Sequence, residues 1–318
     1  MRRGTTARPE GSGAVTIEQL NQLINVLASI TLFEMMIAIG LGVALSDVWQ
    51  VATDWRLIAR AMLASYVVVP AAAVGLLVLF QATPFVAAGL LICAVCPGAP
   101  YGPPFTSVAR GNVSVSVGLM VMLAGSSALM APLLLQELLP FTLGLLPAET
   151  GDSGPFTIDG GKIVATLLIT QLLPICIGLG LRHWSPTLSD RIKVPANRLG
   201  MVLNLMTLGL ILYTQFDMLL AVPLRGYLGM SLLVFVSVAA GWLLGGGANR
   251  SAMVMATSVR NVGVALVIVT AAFGGTRAVA AATAFALFQT LAMALVALAW
   301  GRFSSPGLQV PNAKASAA

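Results

Sequence analysis

The chain has 318 residues, 58% of them hydrophobic and only 9% charged, with a formal charge of +6. A soluble globular domain carries charge on roughly a quarter of its residues, so that class is excluded. The scattered positive excess reads as a topology signal and as contact with anionic membrane lipid headgroups, and no nucleic-acid partner is expected.

Apolar runs of the ~20 residues needed to cross ~30 Å of hydrocarbon recur along the chain, and their composition is helical, so the expected fold is an all-α integral membrane protein. Nine spans are read in chain order, at 23–45, 57–79, 84–108, 112–139, 161–182, 196–219, 222–247, 251–274 and 277–301. Residues 1–22 are expected to form a flexible extracytoplasmic segment without a cleavable signal peptide, 23–301 the transmembrane domain and 302–318 a cytoplasmic tail, with no appended soluble domain. Placing the amino terminus outside puts ten Lys and Arg residues, Arg56, Arg191 and Arg250 among them, on the cytoplasmic side, against six outside, including Lys162, Arg225 and Arg277. The positive-inside bias favours that orientation, and the expected location is the bacterial inner (plasma) membrane.

The third span contains "CPGAPYGPPF", residues 96–105, with four prolines and two glycines at membrane depth. Proline removes an amide donor and clashes with the preceding turn, so the helix must break there. Broken backbone is tolerated in a membrane only inside protein or beside a watery cavity, which makes Pro100, Tyr101 and Gly102 candidate substrate contacts. The eighth span gathers Thr257, Ser258, Arg260, Asn261 and Gly263 at its middle and is expected to unwind as well. The two spans are five crossings apart and run in opposite directions. Such a pair of interrupted helices points to a transporter binding site at the bilayer midplane.

Other polar residues divide between chemistry and packing. Glu34 is the one acid near the middle of an expected span, at roughly the depth of Arg260. It reads either as a neutral hydrogen-bonding group or as a cleft residue. Asn204 and Thr207 on the sixth span, and Gln289 and Thr290 on the ninth, fit a cavity lining and helix-to-helix bonding equally well. Gly178, Gly180, Gly241 and Gly245 read as close-packing positions. Cys93, Cys96 and Cys176 read as small buried hydrophobes without a disulfide, and His183 as an interfacial residue. No Ser/His/Asp set, metal-ligand cluster or phosphate-cradling loop is present in the pattern, so neither enzyme activity nor a cofactor nor a metal centre is expected.

"CPG" entering the break, "ARGNVSVSVGLMVMLAGSSALMAPLL" at 109–134, "GVALSDV" at 42–48 and "RNVGVAL" at 260–266 resemble, in order, motifs of the bile acid:sodium symporter family. The resemblance covers about residues 30–300 and implies two inverted five-helix repeats. It also implies a core domain (about 57–139 and 222–301) holding two crossing broken helices, a panel domain (about 23–45 and 161–219), and alternating access between them. Nine spans then imply that the first helix of the first repeat is absent, in agreement with an exterior amino terminus.

Sodium-coupled relatives bind Na⁺ through a Glu, two Gln, a Ser-Asn pair, a Ser and a Thr. Hard cations need such convergent oxygens. By the resemblance these positions fall here at Ala256, Arg260, Ser65, Gly102 with Pro103, Ser116 and Met120, and only Ser116 keeps its suitable oxygen. A guanidinium at a Na⁺ position supplies permanently the charge that the ion supplied transiently. Three readings follow: Arg260 with Asn261 forms an anion site for a carboxylate, Arg260 pairs structurally with Glu34, or the Glu34 and Arg260 couple carries protons. Glu34, Ser116 and Ser65 are thus the coupling candidates. Arg260, Asn261, Ser258, Pro100, Tyr101, Gly102, Thr290 and Gln289 are the substrate candidates. The expected function is secondary transport of a small organic anion with weak or absent sodium coupling, by facilitated diffusion or with a proton in its place. The alternatives are a channel or non-transporting sensor on the same scaffold, or a sodium symporter with a rearranged ion site.

Overall fold

Long apolar stretches set the frame. The computed structural model describes residues 17–146, 160–220, 222–274 and 276–303, so most of the expected amino-terminal segment and cytoplasmic tail lie outside the described residues. Among the described residues every regular element is helical. The order is α1 (Ile17–Gly42), α2 (Leu45–Thr53), α3 (Trp55–Leu63), α4 (Val69–Leu79), α5 (Pro84–Val95), α6 (Gly102–Val108), α7 (Val113–Gly144), α8 (Gly160–Leu167), α9 (Leu173–Trp184), α10 (Pro186–Leu220), α11 (Leu224–Leu244), α12 (Arg250–Ser258), α13 (Val262–Phe273) and α14 (Arg277–Phe303).

Among these residues seven stretches are long and apolar enough to cross a membrane: Gln22–Gly42, Trp55–Leu79, Val113–Gly144, Pro186–Thr214, Leu224–Leu244, Gly247–Phe273 and Arg277–Phe303. The seven leave out the third expected span, which its break divides into α5 and α6, and the helical stretch 160–184. Four residues of the stretch 42–48 begin α2, a short helix that leaves Trp49 exposed at 73%. The sixth span begins ten residues before its expected start, because Pro186 opens α10 and Pro195 is absorbed within it. The carbonyl that Pro195 leaves without a donor is that of the exposed Arg191, where solvent or headgroups satisfy it.

Two π turns interrupt otherwise regular helices, Ala64–Val68 between α3 and α4 and Leu168–Leu172 between α8 and α9. In the first, the Val69 N–H donates to Ala64 O, five residues back. The next donor in that register is Pro70, aimed at Ser65 O, and proline has no N–H to give. The Ser65 carbonyl is therefore open to another partner.

α1 packs chiefly on α9 and α10, α14 on α5 and α13, and α11 on α12 and α4. Gly40 and Gly178 let α1 and α9 touch backbone to backbone: a Cβ on Gly178 would stand 2.8 Å from the Gly40 Cα. The elements around the two breaks are the most enclosed, with every residue of 91–99 and of 251–261 buried. α10 lies at the periphery and exposes Leu199, Val202, Leu205 and Met206, an apolar surface suited to lipid.

Candidate functional site

The first break follows from its prolines. Cys96 leaves the helical region (φ −105, ψ 81) because the ring of Pro97 crowds a helical residue before it. Gly98 has φ +82 and lies against Ala124, with the Ala124 Cα 2.6 Å from where a Cβ would stand, so glycine alone fits. Helix resumes at Gly102 with Pro103 and Pro104 in the first turn, where a missing donor costs no helical bond. The second break is shorter. Val259 is extended (φ −89, ψ 107), and Asn261 caps α13 by accepting from the Val264 N–H at 3.3 Å.

The two breaks satisfy each other's backbone. The Asn261 N–H donates to Cys96 O at 2.8 Å, and Asn261 Nδ2 donates to Gly98 O at 3.3 Å. Gln289 of α14 brackets the neighbouring peptide: its Oε1 accepts from the Arg260 N–H at 3.0 Å and its Nε2 donates to Arg260 O at 3.3 Å. Unwound backbone in hydrocarbon costs several kcal/mol per orphan group, and these four bonds remove much of that cost.

The Arg260 side chain is 2% exposed. Its Nη1 donates to Ser65 O at 3.3 Å, the carbonyl that Pro70 leaves open, while Nε and Nη2 have no partner. Ser65 Oγ and Ser258 Oγ are likewise buried without partners. Among the described residues, four of the eight unpartnered buried side-chain N and O atoms thus belong to Arg260 and two serines that adjoin it in space or in sequence. Nε and Nη2 lie on one edge of the guanidinium, the edge that binds a carboxylate through two parallel N–H···O bonds.

Of the other expected residues, Ser116 is buried with its Oγ 2.8 Å from Thr106 Oγ1, whose hydroxyl also lies 3.0 Å from Gly102 O. Pro100 and Tyr101 are half-buried, and Thr290 is exposed and donates to Ala286 O of its own helix. Thr207 meets Thr31 of α1 at 3.0 Å, a helix-to-helix bond, and Asn204 is half-buried. Glu34 and Arg260 are not brought together. Leu32 packs 3.5 Å from a Cβ position on Gly263, beside the second break, whereas the Glu34 carboxyl lies against Gly200 of α10. At about 100° per residue, side chains two apart on α1 point to nearly opposite sides. Among the described residues neither buried Glu34 oxygen has a partner.

Two contacts to α7 escaped the sequence reading. Tyr66, in the first π turn, has its hydroxyl 3.0 Å from Leu123 O and 2.8 Å from Ser126 Oγ. Gln171, in the second, donates from Nε2 to Ala124 O and to Ser127 Oγ. The signal available was a polar residue three or four positions before an intramembrane proline. Among the described residues no three His, Cys, Asp or Glu side chains gather as metal ligands.

An all-helical membrane bundle in which two interrupted helices meet at an enclosed polar site has the form of a secondary transporter. The profile of the Sodium Bile acid symporter family matches residues 29–222, more than half of the chain, and the chain belongs to that family. A curated relative, "Probable sodium/metabolite cotransporter BASS1, chloroplastic" of Arabidopsis thaliana, is 27% identical over 149 residues, 47% of this chain and 34% of the relative. The match thus spans about a third of that relative's length. The first break, Ser65 and Ser116 fall within the family match, whereas Arg260, Asn261 and Gln289 lie beyond it.

Proposed function

We propose that this membrane protein carries a small carboxylate-bearing organic anion by alternating access, with Arg260 as the fixed counter-charge and without a required sodium ion. One observation carries the reading: a fully enclosed guanidinium at the meeting of two broken helices that leaves one bidentate edge unpartnered. A buried charge without an acid beside it is costly, and an anionic cargo supplies the missing charge for part of each cycle. The enclosure itself requires that helices part before a ligand can enter. The packing of α1 on α9 and α10 supports reading these as a panel that moves against a core of α3–α7 and α11–α14. Counting the divided third span and the stretch 160–184 with the seven apolar stretches gives nine crossings, with the amino terminus outside. The relative's name joins sodium to a metabolite. In this chain Ala256, Met120 and Pro103 offer no side-chain oxygen to a cation, so the metabolite half of that description is the half that transfers.

Uptake of carboxylates into proteoliposomes, with external Na⁺ replaced by choline, tests the reading. Transport should persist in choline at a comparable rate. A collapse without Na⁺ would refute the sodium-independent mechanism.

A further inference from the structure

A cavity lies well away from Arg260. It measures about 420 Å³ and opens between α4, α5, α11 and α14, lined by apolar residues such as Leu77, Leu90, Met230 and Leu233. Small-molecule sites span roughly 300–1,000 Å³, so the space suffices for a ligand. Two cations, Arg225 and Arg277, stand among its lining residues, both exposed. Ala281 lines the cavity and Gln289 reaches the Arg260 backbone, and the eight residues between them on α14 correspond to about 12 Å, so the two sites are separate.

The rim is the level at which α4 ends, at Leu79, and α5, α11 and α14 begin. Three helix amino termini add partial positive charge there. Thr83, just before α5, lines the cavity with a buried Oγ1 that has no partner among the described residues and makes no cap bond. Around the mouth the surface is apolar and open: Leu79 is 70% exposed and Leu224 75%. Leu233 lies nine residues beyond Leu224, so the lining reaches about 13 Å below the rim. A molecule that enters from this surface comes out of the bilayer, with its acidic group at headgroup level and its chain in the apolar space.

We infer that this cavity is a binding site for an anionic phospholipid, whose phosphate sits between Arg225 and Arg277 and whose acyl chain fills the space above Leu233. The phosphate takes charge-assisted bonds from both guanidinium groups, and the chain takes the place of an apolar void.

The test is native mass spectrometry of the detergent-solubilised full chain titrated with dioleoyl phosphatidylglycerol or with dioleoyl phosphatidylcholine. Phosphatidylglycerol should bind in clear preference. Each arginine removed should weaken it about fivefold, so that R225Q with R277Q approaches the phosphatidylcholine level. Gly229→Leu fills the cavity without touching the charges, since a Cβ there meets Phe80 at an ordinary 3.5 Å, and should reduce phosphatidylglycerol binding as well. Equal retention of the two lipids by the unaltered protein overturns the inference, and that comparison needs no variant to fold. Displacement of phosphatidylglycerol by an equal concentration of glycerol phosphate overturns it too, because it would mark a site for a soluble anion.

Discussion

Replacing Arg260 with Met separates a ligand-binding cation from a structural one. The substitution keeps most of the volume and removes the charge, while both backbone bonds to Gln289 persist because they do not use the side chain. It deletes one protein contact, the 3.3 Å bond from Nη1 to Ser65 O. That bond, of charged-donor type, contributes at most about 1.5–3 kcal/mol. Against it stands the removal of a guanidinium with two unpartnered donors from the membrane interior, a relief of about 2.5–3.5 kcal/mol. The two effects nearly cancel, so the empty protein should keep its unfolding temperature or gain slightly. For a bound carboxylate the balance differs, because loss of one partner of a buried charged pair costs about 2–5 kcal/mol, or roughly thirtyfold to several thousandfold in Kd. Thermal unfolding across a series of carboxylates and sulfonates measures both quantities in one experiment. Ligand-induced shifts seen in the unaltered protein should vanish in R260M while the ligand-free temperature holds. Undiminished shifts, or a ligand-free loss of more than about 3 kcal/mol, would refute the reasoning, since the first removes the anion from the site and the second makes the cation a structural tie.

The supports of the site make their own predictions. Gly98→Ala forces a side chain into a left-handed backbone and against Ala124, and should destabilise by about 2–4 kcal/mol from strain and overpacking together, read as a drop in unfolding temperature. Gln289→Ala leaves the buried N–H of Arg260 without a partner, at about 1–3 kcal/mol, while the Arg260 C=O keeps the Val262 N–H at 2.9 Å, and should weaken both stability and anion binding. If stability falls and the affinity of folded protein for the anion is unchanged, the peptide at Arg260 does not need Gln289 to hold the guanidinium in position.

Much of this arrangement is legible in the chain because proline and arginine are costly at membrane depth. Four prolines in residues 96–105 require a break, and the structure breaks at Cys96–Tyr101. Arg260 requires an enclosed position, and it is enclosed. Rotational phase is harder to read. Depth along the first and eighth spans puts Glu34 and Arg260 at one level, but which way a side chain points depends on which helices flank α1. Leu32, facing the second break, and Glu34, facing Gly200, differ only in register. The helix count is harder too, since the break in the third span separates Pro84–Val95 from Gly102–Val108 and neither is long enough to cross alone.

The π turn at Ser65 shows how little of the cause need be polar. Ser65 is significant here less for its hydroxyl than for its main-chain oxygen, which binds Arg260 Nη1 because Pro70 supplies no competing donor. Two ordinary-looking residues, five apart in an apolar run, thereby hold one arm of the guanidinium and leave its other edge turned elsewhere. The side chain of Ser65 offers the site one hydroxyl, buried and without a partner among the described residues. Its main chain offers an acceptor as well, and a fixed cation at that point needs an acceptor more than it needs another donor. The same rule places Pro174 two residues after the second π turn, where Ile169 O is the carbonyl left open. One missing N–H per π turn thus makes each of these two helices a potential docking point for a donor from elsewhere in the bundle, and in the first of them that donor is Arg260.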